Sequence, residues 1–218
     1  MMVSAEHDPR RAGTIWMLNL DESLPVIAPL IPATFRRVEP ESTSALGRTM
    51  GLDASTEILK RFEHGRRCYA AYVQDEIAAY GWVSLDEEFI GELKLRLKLL
   101  DGEAYIWDCA TLPPFRRQRL YSALLVHILR ELQAEGSCRV WIGADQENIA
   151  SQRGIARAGF HHIADLVVDR VLTLRQVWVQ GGADVPDHLV AEARRAFLND
   201  RDKVWLNAVS SVIQKTND

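Results

Sequence analysis

Three arginines, Arg116, Arg117 and Arg119, fall within four residues of the segment Thr111-Leu-Pro-Pro-Phe-Arg-Arg-Gln-Arg-Leu-Tyr-Ser122. A guanidinium is always charged and its planar fork matches phosphate oxygens, so such a group suits an anion. Directly behind it, Leu120, Leu124, Leu125, Ile128, Leu129 and Leu132 recur at helical spacing. A helix that opens here offers its unpaired N–H groups and the positive end of its dipole to the same anion. Phosphate or pyrophosphate is the natural guest of that arrangement. On local chemistry alone a solvated basic turn is the alternative.

Ahead of the turn, Ala104-Tyr-Ile-Trp-Asp-Cys-Ala110 reads as a buried strand with a carboxylate in it. Alternation puts Ala104, Ile106, Asp108 and Ala110 on one face and Tyr105, Trp107, Cys109 and Thr111 on the other. A buried carboxylate is costly unless paired, so Asp108 is either held in a structural hydrogen bond or functional. Asn148 follows the apolar run Arg139–Ala144 and is placed to cap a helix that stops at Gly159. The three cysteines, Cys68, Cys109 and Cys138, form no Cys-x-x-Cys pair, which points to reduced, buried thiols rather than a metal site. His161 and His162 have no third ligand nearby, and His64 suits a helix end better than catalysis.

The elements that must position these groups are legible around them. Residues 1–12 are polar and without period, the composition of a disordered end. Thr14–Leu20 is an apolar run that fits an added edge strand or a docked arm, and Pro25, Pro29 and Pro32 make the next stretch an extended linker. A first strand follows over 34–38. Two helices come next, from about Glu41 to Gly51 and from Asp53 to Gly65, the second with Ile58, Leu59 and Phe62 on one face. Cys68–Val73 and Ile77–Val83 make a hairpin. Leu93–Leu99 alternates, with Lys94, Arg96 and Lys98 on its polar face, as in a half-exposed strand. That face fits solvent or an acidic partner. Beyond the helix closed at Gly159, Ile163–Val179 reads as two strands meeting near Asp169 and Arg170. Pro186 then starts a helix, and Val204, Trp205, Ala208, Val209, Val212 and Ile213 form a helical stripe to be buried on this chain or on a partner subunit.

Composition narrows the class. With 218 residues, 47% hydrophobic and 26% charged, the chain suits one globular domain with an appendage, or two small ones. A net charge of -4 argues against a general nucleic-acid binder. No apolar run approaches the roughly 20 residues needed to cross a bilayer. The N-terminus lacks the apolar core of a signal peptide, so a cytoplasmic location with no membrane association is expected.

Two segments also resemble a family. Pro113-Pro-Phe-Arg-Arg-Gln-Arg-Leu-Tyr-Ser-Ala-Leu-Leu125 is similar to the acyl-CoA loop of GNAT-superfamily acyltransferases, usually Pro-x-Tyr-Arg-Gly-x-Gly-Ile-Gly-x-x-Leu-Leu. Asn148-Ile-Ala-Ser-Gln-Arg-Gly-Ile-Ala-Arg-Ala-Gly-Phe160 resembles that family's Asn-x-x-Ser/Ala…Gly-Phe segment, in the expected order and spacing. The resemblance implies an α+β, three-layer fold: a mixed central sheet of about six to seven strands flanked by helices, with a C-terminal helical tail. It divides the chain into an arm and linker over 1–33, an acyltransferase domain over 34–180 and a helical extension over 181–218.

By that resemblance the chain transfers an acyl group, acetyl before others, from acyl-CoA to an amine of a small molecule or peptide by direct attack, without a metal. Cys109, Ala110 and Thr111 would present backbone groups to pantetheine. Arg116, Arg117, Gln118, Arg119, Leu120, Tyr121 and Ser122 would wrap the pyrophosphate, with Asn148 beside the pantetheine arm. Asp108 would be the candidate for proton transfer. The chain departs from the family pattern where Arg117 and Arg119 replace glycines, Tyr121 replaces a small residue, Ile155 stands for a frequent Tyr acid and Gly143 for a frequent Glu. The alternative is a non-catalytic binding or assembly module of the same fold. The C-terminal stripe is the candidate surface for a homodimer.

Overall fold

The computed structural model describes residues 9–91, 95–171 and 174–198. The chain opens with β1 (Arg10–Asn19), runs extended past its prolines and enters β2 (Thr34–Val38). One 3-10 turn at Pro40–Ser42 leads into α1 (Thr43–Met50), which Gly51 closes in the left-handed conformation at φ 68°. A π-helical turn over Ala54–Ile58 feeds α2 (Leu59–Glu63). The expected hairpin follows as β3 (Arg67–Val73) and β4 (Glu76–Ser84), turning at Gln74 and Asp75, both at positive φ. Positive φ at both central residues lets a two-residue turn follow the strands' right-handed twist.

A small separate ribbon comes next, β5 (Glu87–Ile90) with β6 (Leu95–Lys98). Leu95 and Leu97 are buried while Arg96 and Lys98 are exposed, the alternation read from the sequence; Leu93 and Lys94 lie outside the described residues. The remaining elements are β7 (Glu103–Thr111), a 3-10 turn at Pro113–Phe115, α3 (Leu120–Ala134), β8 (Arg139–Asp145), α4 (Ile149–Arg157), β9 (His161–Val171), β10 (Leu174–Gly181) and α5 (Asp187–Phe197). β9 runs to Val171 and β10 begins at Leu174, so the first strand extends past Asp169 and Arg170, where the sequence put the junction. The stripe from Val204 to Ile213, and the dimer surface expected of it, lie outside the described residues.

The main sheet has eight strands in the order β10-β9-β1-β8-β7-β4-β3-β2. Among the described residues, only the β7–β8 pair is parallel. On one face, Leu124, Leu125, Ile128 and Leu129 of α3 pack with Ile155 of α4 over Ala104, Ile106, Val140 and Ile142. On the other, Val190 and Phe197 of α5 join Leu95 and Leu97 of β6 over Trp141. A third cluster, with Leu46, Ile58 and Trp82, seats α1 and α2 on the β3–β4 end. This is the mixed, three-layer architecture expected.

One strand is placed differently. Of residues 14–20, expected as an edge strand or a docked arm, 14–19 belong to a strand in the sheet interior, paired antiparallel to both β8 and β9, and Leu20 follows in a turn. Residues 10–12, expected as disordered, begin that strand. The reason is apolar surface on both faces: Ile15 and Met17 join the α5 side while Leu18 and Leu20 join the α3 side. Such a segment is fully used only between two neighbours. The linker behind it lies along α3, with the Leu30 N–H donating to the Gln118 carbonyl at 2.9 Å and the Gln133 side-chain amide donating to the Leu20 carbonyl.

Candidate active site

The site grows from the one parallel pair. β7 and β8 stay in register from Glu103↔Arg139 to Ile106↔Ile142, and no pairing continues beyond. Each strand nevertheless runs on, β7 to Thr111 and β8 to Asp145, so the two diverge. Main-chain groups along both diverging edges are left without a strand partner. The opening is a cleft of roughly 1170 Å³. Its walls include Trp107, Asp108 and Cys109 of β7, Gly143 and Ala144 of β8, and Tyr121, Asn148 and Ser151.

A bulge causes the divergence on the β7 side. Tyr80 pairs with Ala110 and Trp82 with Trp107, so Asp108 and Cys109 both stand opposite Gly81. Two residues against one is the signature of a β-bulge, and Asp108 takes φ 42°, unusual for any residue but glycine. Gly81 is needed there, because a Cβ would lie 2.9 Å from Cys109 Sγ. The bulge also overturns the simple alternation. Cys109 joins the α3-side cluster with Ala104 and Ile106, while Trp107 and Ala110 share the opposite side. The inserted residue shifts the two-residue period by one.

Asp108 is accordingly not a buried core carboxylate. Its side chain is 34% exposed on the cleft wall and accepts a hydrogen bond from Arg61 Nη1 at 2.5 Å. Arg61, from α2, lies with its guanidinium carbon 5.0 Å from the Trp82 ring centre and 4.7 Å from that of Trp107. Trp107 is fixed in turn: its indole N–H donates to Ser84 Oγ at 2.8 Å, and Ser84 donates to Glu88. Glu88 is held by Arg66 at 2.8 Å. Sequence reading missed Arg61; its partner is 47 positions away, and nothing local marks a helix arginine for a distant strand.

The arginine turn lies past the C-terminal end of β7, at the head of α3. Arg117 and Arg119 both adopt left-handed backbone, φ 65° and 59°. The turn therefore keeps the glycine-type conformation while carrying arginine. No side chain caps the first turn of α3, for which Arg119 is the N-cap residue, so its first-turn N–H groups have no side-chain acceptor among the described residues. Arg116, Arg117 and Arg119 are exposed; Arg116 Nε donates to the Thr111 carbonyl, and no carboxylate pairs with Arg117 or Arg119 among the described residues. Gln118 is half-buried, its carbonyl taken by Leu30, and Leu120 lies in the core.

The structure brings Asp108, Cys109, Tyr121 and Asn148 together at the cleft and leaves Ala110 and Thr111 off its wall, paired with Tyr80 and Ala79. Ser122 is buried, and its hydroxyl donates to the Gly154 carbonyl at 3.1 Å. Asn148 Oδ1 accepts from the Ser151 N–H at 3.0 Å, the helix cap anticipated for it. Tyr121 reaches from α3 to α4: its ring covers Gly154, where a Cβ would meet it at 2.5 Å, and its hydroxyl lies 3.2 Å from Ser151 Oγ. Tyr105 brings a second phenol, 3.6 Å from where a Cβ on Gly143 would stand.

Burial sets the titration of these groups. It pushes the Tyr121 phenol and the Cys109 thiol well above their usual values, with the Asp108 charge adding to the effect at Cys109. Cys109 therefore stays a neutral thiol rather than a nucleophile. Burial, helped by Asp108, raises Tyr80 to about 12. Cys68 is buried as expected, but Cys138 is exposed, and none of the three is in a disulfide. Among the described residues no three metal-ligating side chains gather, and no helix is long and apolar enough to cross a membrane.

Solved structures share this fold. A GNAT-family acetyltransferase from Colwellia psychrerythraea superposes with a TM-score of 0.55 at 13% identity, covering 80% of this chain and 57% of that one. A GCN5-related N-acetyltransferase from Sphaerobacter thermophilus gives 0.55 at 15% identity, covering 81% and 54%. The chain thus spans little more than half the length of either. No curated protein matches the sequence. The family model described as Acetyltransferase (GNAT) family matches residues 33–160, which hold the split strands, the arginine turn and the Asn148 cap, and the chain belongs to that family.

Proposed function

We propose that the protein is an acyl-CoA-dependent N-acyltransferase that carries acetyl to an amine by direct attack. The observation that carries this reading is the β7–β8 split, which opens a cleft at the C-terminal ends of two parallel strands beside an uncapped helix head. In open sheets of this kind ligands lie outside the carboxyl ends of the strands. The arginine turn and the first-turn N–H groups of α3 would hold the pyrophosphate of the co-substrate. The unpaired edges of β7 and β8 would accept the pantetheine arm, and Asn148 would border it.

The thioester is already activated, so the protein's work is placement and proton handling. The acceptor nitrogen attacks the thioester carbonyl carbon, a C–N bond forms and the C–S bond breaks. Asp108, exposed on the wall and held by Arg61, would take the amine proton. The thiolate leaves and takes a proton from solvent.

A second reading, a binding module without turnover, draws on one observation: the Tyr121 ring fills space between α3 and α4 at the cleft. Calorimetry with acetyl-CoA, followed by thiol release on an amine panel, separates the two. Micromolar binding with turnover that falls in Asp108→Asn, binding unchanged, supports the enzyme. Binding without turnover supports the module. No binding of acetyl-CoA sinks the acyltransferase.

A further inference from the structure

The acceptor end of the cleft carries a cation and an anion side by side, Arg61 Nη1 and Asp108 Oδ2 at 2.5 Å. Asp108 stands on a bulge that turns its Cα–Cβ bond toward the cleft, and the bond from Arg61 holds its carboxylate there. The Arg61 guanidinium lies over a pair of indoles that touch each other, 5.0 Å from the Trp82 ring centre and 4.7 Å from that of Trp107, contacts that hold the side chain in place. Of its five N–H groups, one is taken by Asp108, and no other described atom accepts from it. Both side chains line the cleft, and Arg61 is 21% exposed. A structural ion pair alone does not leave a guanidinium edge facing an opening.

From this geometry we propose, on the acyltransferase reading above, that the acceptor is an amine with a carboxylate close by, as in an amino acid. The acceptor carboxylate takes the open edge of Arg61, and its amine faces Asp108, which receives the proton as the nitrogen attacks. The four groups then alternate in sign around a square. A bidentate guanidinium–carboxylate contact fixes the orientation of a planar group, which a lysine in the same place would not do. Trp107 supplies the apolar wall for the acceptor's carbon skeleton.

Matched compounds test this: phenylalanine, phenylalaninamide and phenethylamine, with lysine and cadaverine as a second set, each with acetyl-CoA and read by thiol release. The wild type is expected to favour the carboxylate member by about 10- to 100-fold in kcat/KM, the range of a charge-assisted hydrogen bond. Arg61→Gln should erase that preference by raising the acceptor KM, and Arg61→Lys should restore only part of it. Acetyl-CoA affinity, read by calorimetry, should stay level in both variants and shows that they fold. Equal or better turnover of the amines without carboxylate overturns the proposal and leaves the acyltransferase reading standing. So does an Arg61→Gln loss shared equally by all compounds. Tight acetyl-CoA binding with no thiol release on any amine overturns both.

Discussion

The backbone at Arg117 and Arg119 separates two roles that glycine and arginine play in a phosphate loop. Both residues sit at left-handed φ, 65° and 59°, where a side chain costs about 1–2 kcal/mol relative to glycine. Replacing either by glycine relieves that strain. The unfolded chain gains freedom in exchange, which offsets about 0.5–1 kcal/mol. Each arginine-to-glycine change should therefore be neutral to stabilising, by about 0–1.5 kcal/mol, whereas alanine, which keeps the Cβ, should leave stability near the wild type. Binding should run the other way. The double glycine variant keeps the turn conformation but loses two exposed charges, so acetyl-CoA affinity should fall by about 1–3 kcal/mol in low salt, the lower range for exposed guanidinium contacts. Urea titrations give the stability, and calorimetry at about 50 and 300 mM salt, where screening lengths differ, gives the affinity and its salt slope. A glycine variant clearly less stable than the alanine variant would refute the strain argument. Unchanged affinity with an unchanged salt slope would refute the claim that charge holds the phosphates.

Three further outcomes follow from packing and charge. Gly154→Ala should cost about 1–3 kcal/mol by driving a methyl into the Tyr121 ring. Combining it with Tyr121→Ala should recover part of the loss, and a thermal-melt cycle that comes out additive would show the ring was never against that helix. Burial lowers the pKa of His127, whose ring lies between Phe35 and Tyr69. The unfolded state then binds more protons than the folded state as pH drops through about 6.5. Stability should therefore decline below that pH, and the decline should flatten in His127→Gln; identical urea midpoints at pH 7.5 and 5.5 in the wild type would contradict it. Glu103 is buried and accepts from Arg195 at 2.7 Å at both oxygens and from Arg139 at 3.3 Å. Glu103→Gln removes the buried acceptor while Glu192 still pairs with Arg195 at 3.0 Å and Arg139 at 3.4 Å, and should cost about 1–3 kcal/mol by urea unfolding, loosening α5 first. Limited proteolysis that finds α5 as protected as in the wild type would count against that order.

Much of the fold is written locally. The hairpin at Gln74-Asp75, the αL stop at Gly51, the Asn148 cap and the leucine spacing of α3 each depend on residues within a few positions, so periodicity and capping chemistry suffice to find them. The strand–turn–helix that carries the arginines is of this kind, and its order with the Asn148 segment made the family legible. Three decisions belonged to the tertiary structure. The run Thr14–Leu20 is apolar on both faces, which says that it is covered but not by which neighbours, and only pairing with β8 and β9 put it in the interior. The bulge at Asp108 exists only as a mismatch against β4, so period-two reading along β7 alone assigned the wrong faces from residue 108 onward. Arg61 met Asp108 and two indoles because α2 packs over the β3–β4 end, a contact across 47 positions. Local sequence sets what each segment prefers to be; register and packing between distant segments set which side chains face the cleft.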